Sequence, residues 1–253
     1  MAKVTGIIPA RLHSSRLPEK LLLAESGQPL IRYVWETASS CPELDEVIVA
    51  TDSEQIAQVV TGFGGRAEIT GDHPSGTDRI AEVAKRCCPD SDIIVNLQGD
   101  EPELESSTIA KLVNSIHESG SEMATVAAPF TCADDVRSPD CVKVVVNDSA
   151  EALYFSRSVI PFPRDGTVED VLAAGPVPYY LHIGLYAFQR DYLTRLTQTS
   201  PSSLERLEKL EQLRALQMGA RISVAVVPKA AVGIDTADDY SAFVARTQKQ
   251  SQG

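Results

Sequence analysis

Hydrophobic residues in the first hundred positions form short runs that alternate with helical patterns. Four runs are brief and rich in β-branched side chains, which is typical of strands buried on both faces of a parallel sheet. The segments between them repeat apolar side chains at helical spacing, and Asp52 is the expected cap of the second helix. The predicted strands span residues 4–8, 46–50, 66–69 and 92–97, and the predicted helices span residues 30–39, 53–63 and 77–86. This alternation predicts βαβ units with right-handed crossovers.

The second half of the sequence has a different pattern. Short β-rich runs follow one another closely, and the link at residues 148–151 predicts a hairpin. Leucines spaced three apart predict a helix over residues 202–218, and a final helix is expected over residues 236–248. The predicted strands span residues 123–130, 142–147, 152–155, 179–188 and 221–227. We expect an α/β fold with a mostly parallel central sheet flanked by helices, with antiparallel strands added over about residues 123–190, in one domain of residues 1–253.

Composition narrows the range of functions. The 253 residues carry a formal net charge of −12, so the overall field repels nucleic acid and anionic membranes. No apolar run approaches the roughly 20 residues that a membrane span requires, and the N-terminal run is too short for the core of a signal peptide. Five cysteines without zinc-site spacing are expected to be reduced and mostly buried. We therefore expect a cytoplasmic protein that neither binds nucleic acid nor inserts into a membrane.

A cationic loop follows the first predicted strand. Arg11, Arg16 and Lys20 lie within ten residues of an otherwise acidic chain, and Pro9 and Pro18 disfavour a regular helix there. Ligands bind at the carboxyl ends of strands in open α/β sheets, so the three cations are candidates to bind a triphosphate. A solvated basic loop is the alternative. Neither a Walker pattern nor G-x-G-x-x-G occurs in the loop, which disfavours P-loop and Rossmann dinucleotide chemistry.

Two aspartates are candidate ligands of a magnesium ion. Asp100 and Glu101 follow the fourth predicted strand and point in opposite directions if that strand continues, so only one of them need face a ligand. Asp235 lies between the last predicted strand and the final helix. Mg²⁺ takes one or two carboxylates together with substrate phosphates. Each aspartate also has an alternative role as a helix cap, and Thr236 is a second candidate to cap the final helix.

Two further polar segments are open to more than one interpretation. The turn-rich stretch at residues 72–79 runs into a helix whose backbone N–H groups are able to hold a base or a phosphate, and Thr77 is an expected cap of that helix. His182 lies in an apolar strand, where it is either a core residue or a polar group directed into a pocket. The four histidines are far apart in sequence and form no zinc motif.

Seven motifs, taken in order, resemble the CMP-Kdo synthetase family, the 3-deoxy-manno-octulosonate cytidylyltransferases. They are Ile-Pro-Ala-Arg at 8–11, Ser-Arg-Leu-Pro at 15–18, Ser-Gly-Thr-Asp-Arg at 75–79, Asn-Leu-Gln-Gly-Asp-Glu-Pro at 96–102, Ala-Leu-Tyr-Phe-Ser-Arg at 152–157, His-Ile-Gly-Leu-Tyr at 182–186 and Leu-Glu-Gln-Leu-Arg at 210–214. The likeness covers nearly the whole chain. The fourth and fifth motifs are the most specific, because the first is shared in outline with CMP-sialic acid synthetases and other nucleotidyltransferases.

The resemblance implies a nucleotide-diphospho-sugar transferase fold, a homodimer, and Mg²⁺-dependent transfer of CMP from CTP to Kdo for lipopolysaccharide biosynthesis. By the same resemblance, Asp100 and Asp235 bind the metal ion and form the catalytic set with Arg16 and Lys20. The residues implied to bind CTP are Pro9, Ala10, Arg11, Ser15, Arg16, Lys20, Ser75, Arg79 and Gln98. The residues implied to line the Kdo pocket are Arg157, Arg164, His182, Tyr186, Glu211 and Gln212.

Three positions depart from the family's pattern. Glu19 stands where glycine is frequent, Leu21 where proline is frequent, and Ala237 where proline is common. The carboxylate of Glu19 adds a negative charge next to Lys20. A helix start tolerates either alanine or proline, so the third departure changes little.

The expected reaction is in-line attack by the anomeric hydroxyl of Kdo on the α-phosphorus of CTP. Positioning and charge neutralisation are the expected sources of catalysis, because phosphoryl-type transfer needs no covalent intermediate with the enzyme. Two alternatives are an enzyme that activates another sugar acid, such as sialic acid or 8-amino-Kdo, and a non-catalytic nucleotide-binding protein on the same scaffold.

Overall fold

The computed structural model describes residues 2–14, 16–175 and 179–250. In chain order the elements are β1 (Val4–Ala10), α1 (Leu30–Ser39), β2 (Glu46–Thr51), α2 (Glu54–Gly62), β3 (Arg66–Ile69), α3 (Gly76–Cys87), β4 (Ile93–Asn96), α4 (Ser106–Ser119), β5 (Met123–Pro129), α5 (Ala133–Arg137), β6 (Lys143–Val146), β7 (Ala152–Ser156), α6 (Val168–Ala173), β8 (Tyr180–Gln189), α7 (Arg190–Gln198), α8 (Ser203–Glu208), α9 (Gln212–Gln217), β9 (Ile222–Val226) and α10 (Ala237–Gln250). In the described ranges, no helix has both the length and the apolar character needed to cross a bilayer.

The chain forms two compact units. The first comprises Met1–Ala110 and Ala231–Gly253, and the second comprises Lys111–Ala230, so the boundary falls within α4. The single domain expected over residues 1–253 stays a prediction. The expected α/β class is confirmed, with parallel strands in the first unit and added antiparallel strands in the second.

Four parallel strands form the sheet of the first unit, in the order β3-β2-β1-β4. β1 lies between β2 and β4, and its apolar side chains are almost fully buried. Ile7 lies opposite Ile48 on β2 and Asn96 on β4. Near-continuous burial is what a parallel strand covered on both faces requires. Because the strands are parallel, the segments that follow them leave from the same edge of the sheet.

Antiparallel pairing dominates the second unit, as expected for the strands between residues 123 and 190. β8 pairs antiparallel with β5 and β6, β6 pairs antiparallel with β7, and β9 adds in parallel to β5. The pairing of β5 with β8 contains a bulge: Thr125 lies opposite Tyr186, whereas Val126 lies opposite Ile183. Two residues of β8 therefore have no counterpart on β5, and the local direction of the β8 side chains changes there.

The prediction of one continuous helix over residues 202–218 is wrong, because the segment forms two helices, α8 and α9. Ser202 and Glu205 form a capping box at the start of α8, and Lys209 ends that helix with a left-handed backbone at φ 56°. Leucines spaced three apart drift around a straight helix, so they cannot all face one core. The break lets Leu210 be buried while Leu207 remains 80% exposed.

Two predicted helix caps need correction, and the choice left open before α10 is decided. Ser53, not Asp52, accepts the N–H of Ile56 at the start of α2. Ser75, not Thr77, accepts the N–H of Asp78 at the start of α3. Of the two candidates before α10, Thr236 accepts the N–H of Asp239 and its own N–H donates to the Asp239 carboxylate. Asp52 and Asp235 are therefore available for ion pairs.

All five cysteines have free thiols, as expected. The expectation that they are mostly buried is wrong, because only Cys41 and Cys88 are fully buried and Cys132 is exposed. Burial raises the pKa of both buried thiols to about 11, which keeps them protonated and unreactive near neutral pH.

Candidate active site

A lysine from the loop after β1 contacts two aspartates that are distant in sequence. The Lys20 Nζ atom lies 2.6 Å from Asp100 Oδ2 and 3.2 Å from Asp235 Oδ1. The Lys20 side chain is only 9% exposed, whereas those of Asp100 and Asp235 are 32% and 48% exposed. We refer to these three residues as the charged cluster. The two predicted metal ligands thus lie close enough to share one cation, here an ammonium group.

Main-chain contacts explain why the two aspartates meet. Asp100 lies in a turn after β4, and its carbonyl oxygen accepts the N–H of Ile234 at 2.9 Å. Ile234 is fully buried in a cluster with Leu30, Tyr240 and Phe243. The segment before α10 is therefore anchored by apolar packing and by one hydrogen bond to the turn. Asp235 follows directly and reaches Lys20.

A second cation extends the charged cluster toward solvent. Arg16 Nη2 lies 3.0 Å from Asp235 Oδ1, and the Arg16 side chain is 65% exposed. The resulting set of Arg16, Lys20, Asp100 and Asp235 has two positive and two negative groups. The exposed pair of Arg16 with Asp235 contributes little to stability, because solvent screens these two charges. Their charges are consequently available to a ligand at little cost to the fold.

A cavity of about 370 Å³ opens over the charged cluster. Every predicted CTP-binding residue lines it except Ser15, which lies outside the described residues. Three other lining residues, His73, Pro74 and Gly76, belong to the stretch 72–79 that was predicted to hold a base or a phosphate. Sequence reasoning assigned no binding role to the lining residues Ser14, Leu21 and Gly99. A Cβ atom at Gly76 would lie 3.3 Å from the ring of Pro9, so glycine lets the start of α3 approach the end of β1.

Arg79 lines the cavity, but its guanidinium group also forms hydrogen bonds with other residues of the protein. Its side chain is buried, and it donates to Thr70 Oγ1 at 2.5 Å and to the Asp52 carboxylate. Asp52 follows β2 and Thr70 follows β3, so Arg79 joins the ends of two strands. Part of its role is therefore structural, and its predicted contact with CTP stays a prediction.

Glu101 differs from its neighbour Asp100 in environment. Burial, and to a smaller extent the charge of Asp100, raises the pKa of the Glu101 carboxyl to about 8. Its Oε2 atom is buried without a hydrogen-bond partner among the described residues. Only Asp100 of this pair contacts the cavity, as expected, although β4 ends at Asn96 and both carboxylates lie beyond the strand.

A second cavity, of about 500 Å³, shares part of the first cavity's wall. Its lining residues are Arg11, Leu12, His13, Asp52, Ser53, Asp72, His73 and Arg79. His73 contributes to both cavities, and its Nε2 lies 2.6 Å from Glu82 Oε2 on α3. This hydrogen bond is the largest cause of a lowered pKa at Glu82. The turn before α3 was predicted to face a ligand, but nothing in the sequence alone distinguished His73 within it.

Three of the residues predicted to bind the sugar lie together in the second unit. The Tyr186 hydroxyl donates to Gln212 Oε1 at 3.2 Å, and the ring centroids of Tyr186 and His182 are 5.5 Å apart. His182 Nε2 lies 3.0 Å from Thr125 Oγ1, a residue that sequence reasoning missed. We refer to Thr125, His182, Tyr186 and Gln212 as the neutral polar group. Burial lowers the pKa of His182 to about 3 and raises that of Tyr186, so both side chains are uncharged near neutral pH.

Gln212 has an unused donor. Its side chain is 3% exposed, and its Nε2 atom is buried without a hydrogen-bond partner among the described residues. An unsatisfied buried amide costs about 1–3 kcal/mol and is rare in native proteins. A ligand acceptor placed at this nitrogen would remove that cost.

The other predicted sugar-binding residues have different surroundings. Arg157 donates from Nε to the Glu208 carbonyl oxygen and from Nη1 to the Pro139 carbonyl oxygen, each at 2.8 Å. Glu211 Oε1 lies 3.4 Å from Arg214 Nη2. Arg164 is exposed on the segment between β7 and α6. The roles predicted for these residues stay predictions.

Comparison with known proteins identifies the family of this chain. A family model described as Cytidylyltransferase matches residues 5–222. The 3-deoxy-manno-octulosonate cytidylyltransferase of Rhodopirellula baltica is 46% identical over 248 residues, which cover 96% of this chain and 98% of the relative. The protein of that name from Geobacter sulfurreducens is 44% identical over 241 residues, covering 93% and 96%.

Solved structures extend the likeness to three dimensions. A structure of CMP:2-keto-3-deoxy-manno-octonic acid synthetase complexed with CTP has a TM-score of 0.90 at 39% identity, covering 98% of this chain and 100% of that one. A 4-diphosphocytidyl-2C-methyl-D-erythritol synthase from Anaerococcus prevotii shares the fold, with a TM-score of 0.63 at 16% identity, covering 98% and 99%. The chain therefore belongs to the cytidylyltransferase family, and within it to the 3-deoxy-manno-octulosonate cytidylyltransferases.

Proposed function

We propose that this protein transfers the CMP group of CTP to 3-deoxy-manno-octulosonate (Kdo), releasing pyrophosphate. The anomeric oxygen of Kdo forms a bond to the α-phosphorus, the bond from that phosphorus to the bridging oxygen of pyrophosphate breaks, and the hydroxyl proton is lost to water. The convergence of Lys20, Asp100 and Asp235 in one cavity is the observation that supports this function best. A cluster of mixed charge is suited to a triphosphate, whose negative groups need both a cationic partner and a metal ion.

Lys20 and Arg16 are proposed to bind the phosphates of CTP. Both cations contact Asp235 in the free protein, and a triphosphate would offer them a stronger anionic partner. Lys20 is a point charge on a flexible side chain, so it is able to move from a carboxylate to a phosphate, while Arg16 is able to bind one phosphate with two N–H groups. Stabilising the negative charge that develops on the leaving pyrophosphate is their proposed part in catalysis.

Asp100 and Asp235 fit a magnesium ion by the chemistry of their donor atoms. Both are carboxylates with oxygens directed at one cation, and Mg²⁺ commonly takes one or two carboxylates plus phosphate and water oxygens. Among the described residues, no set of three His, Cys, Asp or Glu side chains is arranged for a metal ion, so substrate and water oxygens would complete the coordination. When bound, the ion supplies positive charge at the phosphates and lowers the pKa of an attached hydroxyl.

The neutral polar group is proposed to recognise the sugar acid. Kdo offers several hydroxyl groups and a carboxylate, and uncharged buried donors and acceptors discriminate among hydroxyl patterns more sharply than apolar contacts do. Gln212 Nε2 supplies an unpartnered donor for an acceptor of the sugar. Arg157 keeps its Nη2 atom without a hydrogen bond to the described residues and is proposed to bind the carboxylate. Glu211 and Arg164 are proposed to complete the pocket.

A pyrophosphate-release assay tests this function directly. The purified protein is incubated with CTP, Mg²⁺ and Kdo, and parallel reactions replace Kdo with sialic acid or 8-amino-Kdo. We expect turnover with Kdo at an efficiency at least tenfold above that with either other acid, since a misplaced polar group costs at least one hydrogen bond. Faster turnover with another sugar acid would reassign the substrate. Tight binding of CTP without turnover for any acid would indicate a non-catalytic protein.

A homodimer, a cytoplasmic location and a role in lipopolysaccharide biosynthesis are parts of the same proposal. Two leucines support the dimer: Leu153 on β7 is 59% exposed and Leu207 on α8 is 80% exposed. The hydrogen bond from Ser156 to Glu208 joins the two elements that carry these leucines. Light scattering of the purified protein measures its mass and so tests the dimer.

The proposed cytoplasmic location is supported by the five free thiols, which suit a reducing compartment.

A further inference from the structure

The bulge in β8 places one hydroxyl group among three polar atoms. Thr125 Oγ1 lies 2.8 Å from the carbonyl oxygen of Leu185, 3.3 Å from that of Ile183 and 3.0 Å from His182 Nε2. Thr125 is fully buried, so water does not supply other partners. Without the bulge, residues on the two strands would pair one to one, and this hydroxyl would not face the carbonyls of both Ile183 and Leu185.

Counting hydrogens determines which atom donates in each contact. A carbonyl oxygen only accepts, and a threonine hydroxyl has a single hydrogen. Two oxygens 2.8 Å apart repel each other unless a hydrogen lies between them, so the hydrogen of Thr125 must point toward the carbonyl of Leu185. The lone pairs of the hydroxyl then face His182 Nε2, which must itself carry a hydrogen to form the contact at 3.0 Å.

The protonation state of Nδ1 of His182 follows from that of Nε2. Burial lowers the pKa of His182 to about 3, so the imidazole is neutral and carries one hydrogen near neutral pH. If that hydrogen is on Nε2, Nδ1 has a free lone pair. Nδ1 takes no hydrogen bond from the described residues. The ring is held by an edge contact with Phe155 at 4.9 Å and by the tilted ring of Tyr186.

We propose that Thr125 is a positioning residue that holds His182 in the Nε2–H tautomer, so that Nδ1 accepts a hydrogen bond from a hydroxyl group of the sugar acid. This inference rests on the proposed function for the identity of the ligand. The tautomer itself depends only on the contacts of Thr125. With the unpartnered donor of Gln212, the neutral polar group then offers the sugar one acceptor and one donor, and neither carries a charge.

Nitrogen NMR of the full-length protein tests the tautomer without any substrate. Histidine is labelled with ¹⁵N, and the His182 signals are identified as those lost in His182→Phe. At about pH 7 we expect a protonated Nε2 and an unprotonated Nδ1. A protonated Nδ1, or an imidazolium with two hydrogens, would overturn the proposal. Thr125→Val removes the acceptor at Nε2 and should populate the other tautomer, whereas Thr125→Ser retains the hydroxyl and should preserve the wild-type signals.

Steady-state kinetics test the consequence for the sugar. Thr125→Val should raise the KM for Kdo about tenfold and leave the KM for CTP within about twofold, while Thr125→Ser should restore the wild-type KM. A merely structural role for Thr125 predicts instead a lower melting temperature and equal changes for both substrates, which would overturn the proposal. If Thr125→Val does not fold, the wild-type tautomer and the Thr125→Ser kinetics decide. Absence of turnover by the wild type with Kdo would refute the proposed function and leave the tautomer result standing.

Discussion

The charged cluster and the neutral polar group use opposite means to prepare for a ligand. In the charged cluster, Lys20 forms ion pairs with both Asp100 and Asp235, and the aspartates are 32% and 48% exposed. In the neutral polar group, no member is ionised near neutral pH, and each of the four members is joined to the next by a hydrogen bond or a ring contact. Under the proposed function, the charged cluster would exchange ion pairs on binding, and the neutral polar group would present fixed donors and acceptors.

This difference follows from the chemistry of the two proposed ligands. A triphosphate carries several negative charges and needs cationic partners. In the free protein, cations or carboxylates that lie close together without a partner of opposite charge would repel one another strongly. Pairing Lys20 with two aspartates holds all three side chains in place, and under the proposed function phosphate and a metal ion would offer each of them a new partner. A sugar acid is recognised mainly by the positions of its hydroxyls, so rigid, uncharged groups discriminate better.

Removing one carboxylate of the charged cluster should have the largest effect on activity. Asp100→Asn is expected to lower kcat by about a thousandfold or more, because an amide is a poor Mg²⁺ ligand and no longer neutralises Lys20. The fold should be unaffected, since the main-chain bond from Ile234 to residue 100 remains. Pyrophosphate release and a thermal melt measure the two effects. Asp90→Asn, at an exposed position after α3, is the matched control, and equal activity of the two variants would remove Asp100 from the mechanism.

The comparison predicts opposite roles for two arginine–carboxylate pairs. Arg214 and Glu205 are 8% and 10% exposed, with Nε and Nη2 of Arg214 2.9 and 2.8 Å from the carboxylate. Arg214→Met leaves a buried charge unpaired and should reduce the free energy of unfolding by about 3–5 kcal/mol. Arg16→Met, which removes an exposed partner of Asp235, should reduce it by less than about 1 kcal/mol. Urea denaturation measures both, and similar losses would show that the distinction between structural and ligand-binding charge is wrong.

Placing a charge in the neutral polar group should impair use of the sugar selectively. Gln212→Glu retains an oxygen for Tyr186 but replaces the unpartnered donor with an acceptor that repels an anionic sugar. We expect kcat/KM for Kdo to fall about tenfold to a hundredfold, with the KM for CTP changed by less than about twofold. The control is Gln198→Glu, an exposed position on α7. A parallel rise in both KM values would show that Gln212 does not act on the sugar alone.

Much of the charged cluster was predictable from the sequence, because one physical rule brings its parts together. Ligands bind at the carboxyl ends of parallel strands, so the loop that carries Lys20 was expected to face a ligand, and the family resemblance implied that Asp100 and Asp235 act with it. The choice of partners was not predictable. Ser53 and Asp52 are equally good caps by propensity, and only the tertiary contact with Arg79 decides that Asp52 forms an ion pair.

The neutral polar group depended on features that local patterns do not encode. Thr125 is an ordinary β-branched residue in a strand, and its contacts depend on the bulge in the partner strand. The break between α8 and α9 depends on a left-handed lysine, Lys209, which helix propensity does not predict. In both cases the backbone departs from regular geometry at a residue whose type is common in regular elements. Glu19 is a third case, and its strain is open to measurement.

Glu19 precedes Lys20 with a left-handed backbone at φ 52°, a conformation that glycine adopts without strain and glutamate does not. The Glu19 side chain is exposed, so its removal loses no packing. Glu19→Gly should therefore raise the free energy of unfolding by about 0.5–1 kcal/mol, the relief of strain being partly offset by the greater freedom of glycine in the unfolded chain. Glu19→Ala removes the same charge but keeps Cβ and should give no such gain in a thermal or urea melt. Equal stabilisation by both variants would show that the carboxylate, and not the backbone, is the source of the strain beside Lys20.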